Sequence, residues 1–196
     1  MYDIPAVIFA GGKSSRMGSD KALLPFAEFS TLSEAQHHKL SQLFSQVYLS
    51  SKENKFDFNC EVIEDTHAES SPLVGIVSVF ETLEADEVFI LSVDAPLVDK
   101  SIIDRLLEKR ESKNKEETVN ADALIANSPD GVQPLCGMYR RSILPLARTH
   151  LAQNNHRLTA LLKASHVKHV HFESNIPFTN LNTQEEYKTL LHKLTF

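Results

Sequence analysis

Short apolar runs alternate with longer amphipathic ones along the whole chain. IPAVIFA (4–10) and EVFILSV (87–93) are almost continuously apolar, the pattern of strands covered on both faces in a parallel sheet. QVYLS, CEVIE, DALIAN, CGMYR and VKHVHF read as further strands. Between them, STLSEAQHHKLSQLF (30–44), PLVGIVSVFETL (72–83), KSIIDRLLEKRES (100–112), RSILPLARTHLAQ (141–153) and TQEEYKTLLHKL (183–194) repeat apolar residues at spacings of three and four, which predicts helices. Asp99 stands at an N-cap position, and Thr183 with Glu186 makes a capping-box pair. The alternation of strand and helix predicts an α/β fold, a Rossmann-like three-layer sandwich around a mostly parallel central sheet. Ligands of such a sheet sit beyond the carboxyl ends of its strands.

A chain of 196 residues, 42% of them hydrophobic, is expected to form a single domain over 1–196. Twenty basic and 26 acidic residues give a net charge of −6 without a long basic tract, so nucleic acid is not an expected partner. Cys60 and Cys136 are far apart and lack metal-ligand spacing; they read as buried thiols in a reducing cytoplasm. The N-terminal apolar run reaches Lys13, Arg16 and Asp20 too soon for a membrane span, and no basic n-region precedes it. A cytoplasmic protein with no membrane partner is therefore expected. KRESKNKEETVN (109–120) reads as a solvated helix end and surface loop. In HVKHVHF, His169 and His171 share one strand face while His166 lies on the other, the pattern of a half-exposed strand rather than a metal centre.

The stretch AVIFAGGKSSRMGSDK (6–21) carries the first chemical signal. A buried strand ending near Phe9 delivers Ala10, Gly11 and Gly12 to the ligand edge of the sheet, where glycines let backbone N–H groups approach phosphates. Val7 stands where a Walker A loop needs its first glycine, and Lys13 replaces the second glycine of a dinucleotide fingerprint. What remains is a glycine turn with Lys13, Arg16 and Lys21 around it, a cationic set suited to a polyphosphate. Its alternative reading is a strand-to-helix turn carrying solvated lysines. FILSVDAPL (89–97) brings Asp94 to the same edge, with Pro96 stopping the strand. Asp94 reads either as a magnesium ligand or as a turn aspartate before a proline.

Together these segments resemble the MobA-like nucleotidyltransferases, the family of molybdenum cofactor guanylyltransferase. FAGGKSSRMGSDKALL matches the family's Leu-Ala-Gly-Gly, Arg-Met-Gly and Asp-Lys signature, with Phe9 in place of the usual leucine. VIEDTHAESSPLVGIVSVF (62–80), LSVDAPLV, PLCGMYRRSILP and NLNTQEEY resemble later family segments in the same order. The resemblance implies a nucleotide-diphospho-sugar-transferase-like fold and transfer of GMP from GTP to the phosphate of molybdopterin, with Mg2+ as cofactor. It also implies enzymes that make or accept molybdenum cofactor as protein partners.

Carried over position by position, the resemblance assigns the nucleotide to Phe9, Ala10, Gly11, Gly12, Lys21, Asp65, Gly75 and Asp94. It assigns catalysis to Arg16, Lys21 and Asp94, the metal to Asp94, and the acceptor to Arg157, Asn180 and Asn182. Arg157 lies in NNHRLTALL (154–162), a partial match to the family's Gly-x-Arg-Arg segment. The chain departs from the pattern in two places. FAEFSTLSEAQHHKL replaces a Gly-Lys-Pro-Leu-like turn, and Ser50 and Ser51 stand where an asparagine near the nucleotide is common. The alternatives are another nucleotidyltransferase of the superfamily, such as a cytidylyltransferase, and a non-catalytic nucleotide-binding regulatory module.

Overall fold

The structure, a computed structural model, describes residues 1–12, 19–111 and 120–194. Its described strands are β1 (Ala6–Phe9), β2 (Val47–Ser51), β3 (Glu61–Glu64), β4 (Glu87–Ser92), β5 (Ala123–Ser128), β6 (Gly131–Arg140) and β7 (Val167–His171). They form one sheet in the order β3-β2-β1-β4-β6-β5-β7. β1 pairs in parallel with β2 and β4, β2 with β3, and β5 with β7, while β6 runs antiparallel to both β4 and β5. The mostly parallel sheet expected from the apolar runs is present. The antiparallel strand is longer than CGMYR suggests, because it begins at Gly131 and makes a hairpin with β5.

Helices α1 (Leu32–Ser41), α2 (Pro72–Thr82), α3 (Lys100–Glu111), α4 (Leu144–Ala152), α5 (Leu158–Ala164) and α6 (Gln184–Leu194) cover the two faces. Successive residues of a strand point to opposite faces, and β1 shows the consequence. Ala6 and Ile8 pack with Leu40, Phe44, Ile103 and Leu190 on one side, whereas Val7 and Phe9 pack with Leu73, Ile76, Phe80 and Leu161 on the other. All four residues of β1 are buried, which is why its sequence lacks a polar–apolar alternation.

Helix starts follow their sequence signals. Thr31 Oγ1 accepts from Glu34 N at 3.0 Å, and Ser71 Oγ accepts from Val74 N at 3.2 Å with Pro72 at the first helical position. Asp99 Oδ1 accepts from Ser101 N and Ile102 N. Thr183 and Glu186 make the reciprocal capping box at 2.8 and 3.2 Å. Helix α5 begins inside NNHRLTALL and runs two residues past it, a stretch that the hydrophobic pattern did not mark as helical; seven residues carry too little periodicity to stand out.

One further expectation is adjusted and another holds. Cys136 is buried, but Cys60 is only half-buried, because it leads into β3 at the sheet edge, where one flank has no neighbouring strand. Burial raises both thiols, Cys136 to about 12. His169 and His171 are exposed on β7 around buried Val170, as the half-exposed face requires. Most of the charged stretch 109–120, from 112 to 119, lies outside the described residues. No helix among the described residues is long and apolar enough to cross a membrane.

The C-terminal end of α2 is closed by a residue distant in sequence. Arg141 donates to the carbonyls of Phe80 at 2.7 Å, Ala85 at 3.1 Å and Leu83, and its guanidinium lies 5.5 Å from the centroid of the Phe80 ring. Helix-terminal carbonyls need such donors. Arg141→Met should therefore cost about 2 kcal/mol, lowering the melting temperature by about 4–8 °C. An unchanged melting curve would show that water satisfies these carbonyls equally well.

Candidate active site

The site begins where the four parallel strands β1–β4 end. Their ladders continue one step beyond the strands: Ala10 N donates to Ser50 O at 2.9 Å, Val93 N to Phe9 O at 3.0 Å and Asp65 N to Ser51 O at 3.0 Å. The opening loop, Asp65 and the segment carrying Asp94 are thereby aligned along one edge. Gly12 has φ +128°, a conformation that favours glycine. Lys13 and Arg16 lie outside the described residues.

A cavity of about 280 Å³ opens at this edge, lined by Phe9, Gly11, Gly12, Ser50, Asp65 and Gly75 among others. Gly75 is a site of close approach. A Cβ there would stand 2.8 Å from Phe9 Cε2 and 3.2 Å from Ser50 Oγ, so a larger residue at this turn would have to push the Phe9 ring or α2 aside. Ser50 and Ser51 are both buried; Ser51 Oγ donates to the Glu53 carbonyl at 2.6 Å. Asp65 is half-buried, and loss of solvent pushes its carboxyl above the usual range while Lys52 and His67 pull it down.

A second cavity, also of about 280 Å³, adjoins the first, and Pro72, Ser92 and Leu135 line both. Its wall includes Asp94, Gln133, Leu158, Phe178 and Asn180. An irregularity in the hairpin creates part of this wall: Ile125 pairs with Gly137 but Ala126 with Gln133, so Pro134, Leu135 and Cys136 have no partner on β5. Proline lacks the N–H of a regular ladder, which suits it to such a bulge.

Asp94 lines the second cavity, two residues after Ser92, which lines both. Its Oδ1 accepts from Ser92 Oγ at 2.6 Å, and its Oδ2 lies 3.3 Å from Lys21 Nζ. Lys21 Nζ also donates to Asn182 Oδ1 at 3.0 Å. Leu181 N donates to the Asp94 carbonyl at 2.9 Å, which ties the NLN segment to the strand end. Asn180 then lines the second cavity, while Leu181 is buried between the two asparagines. From behind, α1 holds the same segment. Gln36 Nε2 donates to Val93 O at 3.3 Å, and Lys39 Nζ to the carbonyls of Pro96 at 3.0 Å and Val98 at 2.7 Å. Burial brings the Lys39 ammonium down to about 8.

The structure thus brings together Phe9, Ala10, Gly11, Gly12, Lys21, Asp65, Gly75, Asp94, Asn180 and Asn182. Arg157 is placed differently. It is exposed at the start of α5 and outside the cavity wall, which its neighbour Leu158 enters. Sequence reasoning missed Ser92, Gln133, Leu135 and Phe178. Ser92 carried a usable signal, since it stands two positions before Asp94 near the end of one strand. The others depend on the hairpin bulge and on a late turn, which no local pattern announces.

Among the described residues no group of three or more histidine, cysteine or acidic side chains could hold a metal. One carboxylate beside a hydroxyl and amide oxygens is nevertheless a suitable donor set for a hard divalent cation that takes its other ligands from phosphates and water. Two cavities adjoining at Ser92 on the carboxyl edge of a mostly parallel sheet, with the lysine-paired Asp94 in the wall of the second, suit a nucleotidyltransferase. Residues 6–170 match the MobA-like NTP transferase domain, and the chain belongs to that family. It is 34% identical to the molybdenum cofactor guanylyltransferase of Campylobacter jejuni (strain RM1221) over 99% of this chain and 98% of that one. Against the molybdenum cofactor guanylyltransferase of Helicobacter pylori (strain G27), identity is 32% over 95% of this chain and 90% of that one. Molybdopterin-guanine dinucleotide biosynthesis protein A from Archaeoglobus fulgidus shares the fold, with a TM-score of 0.80 at 20% identity, covering 98% and 99% of the two chains.

The packing of Phe9 on Gly75 gives a test of the first cavity's floor. Gly75→Ala should cost about 1–3 kcal/mol through overpacking, and Phe9→Leu in the same chain should recover part of that loss. Strictly additive effects in thermal unfolding would show that the two positions do not share this contact.

Proposed function

We propose that this chain is a molybdenum cofactor guanylyltransferase, transferring GMP from GTP to the terminal phosphate of molybdopterin with release of pyrophosphate. The observation that carries this reading is the pairing of two adjoining cavities, one beside the glycine loop and one against Asn180, with the Lys21-paired carboxylate of Asp94 in the wall of the second, hydrogen-bonded to Ser92, which lines both. A binding module would need only the first cavity. In the proposed reaction an acceptor phosphate oxygen attacks the α-phosphorus of GTP in line. The new P–O bond forms as the bond to the β-phosphate oxygen breaks, and the electron pair leaves with pyrophosphate. The acceptor phosphate is already largely ionised near neutral pH, so no general base is assigned.

The residues of this chain act by position and charge. Gly11 and Gly12 bring backbone N–H groups to the phosphates, and Lys21 balances their charge. Arg16, outside the described residues, is assigned a similar role by its place in the motif. Asn180 and Asn182 offer neutral amides to the acceptor phosphate, and exposed Arg157 a cation at its approach. Asp94, with amide oxygens nearby, would hold Mg2+, which supplies charge neutralisation to the triphosphate when bound.

Base choice rests on Asp65. An ionised carboxylate only accepts hydrogen bonds, and a half-buried one gains most from a ligand edge with paired donors. Guanine presents its N1–H and 2-amino group side by side, whereas cytosine presents a single amino group beside an acceptor. Use of GTP, with GTP and molybdopterin as its small-molecule partners, supports placing the protein in the cytoplasm.

Calorimetric titration with GTP, CTP, ATP and UTP, with and without magnesium, tests the reading. Magnesium-dependent preference for GTP is expected; preference for CTP would move the activity to a cytidylyltransferase. Asp65→Asn should narrow the preference for GTP over CTP about tenfold. In a pyrophosphate-release assay with molybdopterin, Asp94→Ala should lower kcat at least about a hundredfold while weakening GTP binding less than about tenfold. An active Asp94→Ala enzyme would contradict the assignment.

A further inference from the structure

The opening loop leaves β1 at Ala10, and one side chain from elsewhere touches both Ala10 and Asp20. Lys55, in the connection between β2 and β3, donates from Nζ to the Ala10 carbonyl at 2.9 Å and to Asp20 Oδ2 at 2.5 Å. Its side chain is 20% exposed, and its ammonium also lies 5.7 Å from the centroid of the Phe56 ring. The other Asp20 oxygen accepts from Ala22 N at 3.0 Å and caps the short 3-10 turn Lys21–Leu23. Two adjacent residues are therefore anchored to different partners, Asp20 to Lys55 and Lys21 to Asp94 and Asn182.

Electrostatics explains why a cation is needed at this point. The Ala10 carbonyl and the Asp20 carboxylate are both acceptors, and acceptors that converge repel unless a donor stands between them. A side chain without a donor at position 55 would leave both partly desolvated groups unpaired there, which costs more than the net worth of the hydrogen bonds made. The two flanks of the loop would then separate. Gly11 and Gly12 follow Ala10 directly, and Lys21 follows Asp20, so the separation of these flanks sets the direction of the groups that meet a phosphate.

We propose that Lys55 is a positioning residue for the nucleotide, clamping the two flanks of the opening loop through the Ala10 carbonyl and the Asp20 carboxylate. This rests on the reading of the adjoining cavity as the GTP site. Lys55 acts through the loop, so it governs how well the ground state is held and has little influence on the chemical step. Such a residue changes KM and leaves kcat nearly constant.

The test combines calorimetric titration with magnesium-GTP and steady-state pyrophosphate release for the parent, Lys55→Met, Lys55→Arg, Asp20→Asn and the Lys55→Met/Asp20→Asn double variant. Lys55→Met should weaken GTP binding about tenfold with kcat changed less than about threefold, and Lys55→Arg should regain most of the affinity. The double variant should bind no more weakly than Lys55→Met alone. A Lys55→Met protein with parental GTP affinity would overturn the proposal even if it melts at a lower temperature. Should Lys55→Met fail to fold, Lys55→Gln keeps a neutral donor and should bind with intermediate affinity; parental affinity there overturns the proposal equally. A parent protein that binds no GTP would overturn the functional reading and this inference together, whereas a GTP-binding parent with an indifferent Lys55→Met overturns the clamp alone.

Discussion

Three hydrogen bonds beyond the ends of the strands hold the site together: Ala10 N to Ser50 O, Val93 N to Phe9 O and Asp65 N to Ser51 O. Each belongs to a parallel ladder, and a parallel ladder fixes both register and direction. Because β1 lies between β2 and β4, its end is tied on both sides. The glycine loop, Asp65 and the Asp94 segment consequently have little freedom relative to one another. Gln36 and Lys39 of α1 fasten the carbonyls after Ser92 from behind, and Leu181 fastens the Asp94 carbonyl from the C-terminal side. The position of Asp94 is therefore determined by three separate parts of the chain.

The charge arrangement follows from the same edge. A chain with a net charge of −6 must bind a polyanion through local fields rather than overall attraction. Lys21 and Lys55 supply the described cations beside the loop, each already engaged with an acidic partner at 3.3 and 2.5 Å. Partly exposed ion pairs of this kind add little to stability, about 0–1 kcal/mol. Their consequence is positional: the Lys21 pair holds that ammonium beside Asp94, and the Lys55 pair ties Asp20 to the start of the loop.

Much of this arrangement was legible in the sequence, for reasons that differ by element. β1 and β4 are read from unbroken apolar runs, and the starts of α3 and α6 from Asp99 and the Thr183–Glu186 pair, because burial on two faces and helix capping leave local traces. Asp94 and Lys21 are read from their places at a strand end and after a glycine turn. Lys55 is different. Its significance lies in contacts with Ala10 and Asp20, 45 and 35 positions away, and a lone lysine in a loop has no local signature. The second cavity was hidden for a related reason, since its wall depends on a bulge in β6 that interrupts pairing around Pro134. Arg157 shows the reverse case, a residue marked by a partial motif that the fold leaves exposed beside the cavity wall.

The proposed transfer takes one displacement at phosphorus, carried out between two ligands lying on either side of Ser92, Pro72 and Leu135. The most direct test is the stereochemical course of transfer from GTP made chiral at the α-phosphorus by sulfur substitution, with molybdopterin as acceptor. Inversion of configuration is the predicted result, because a single in-line attack across the junction reverses the phosphorus centre once. Retention would require two displacements through a covalent nucleotidyl-enzyme, and would contradict direct transfer between the two cavities.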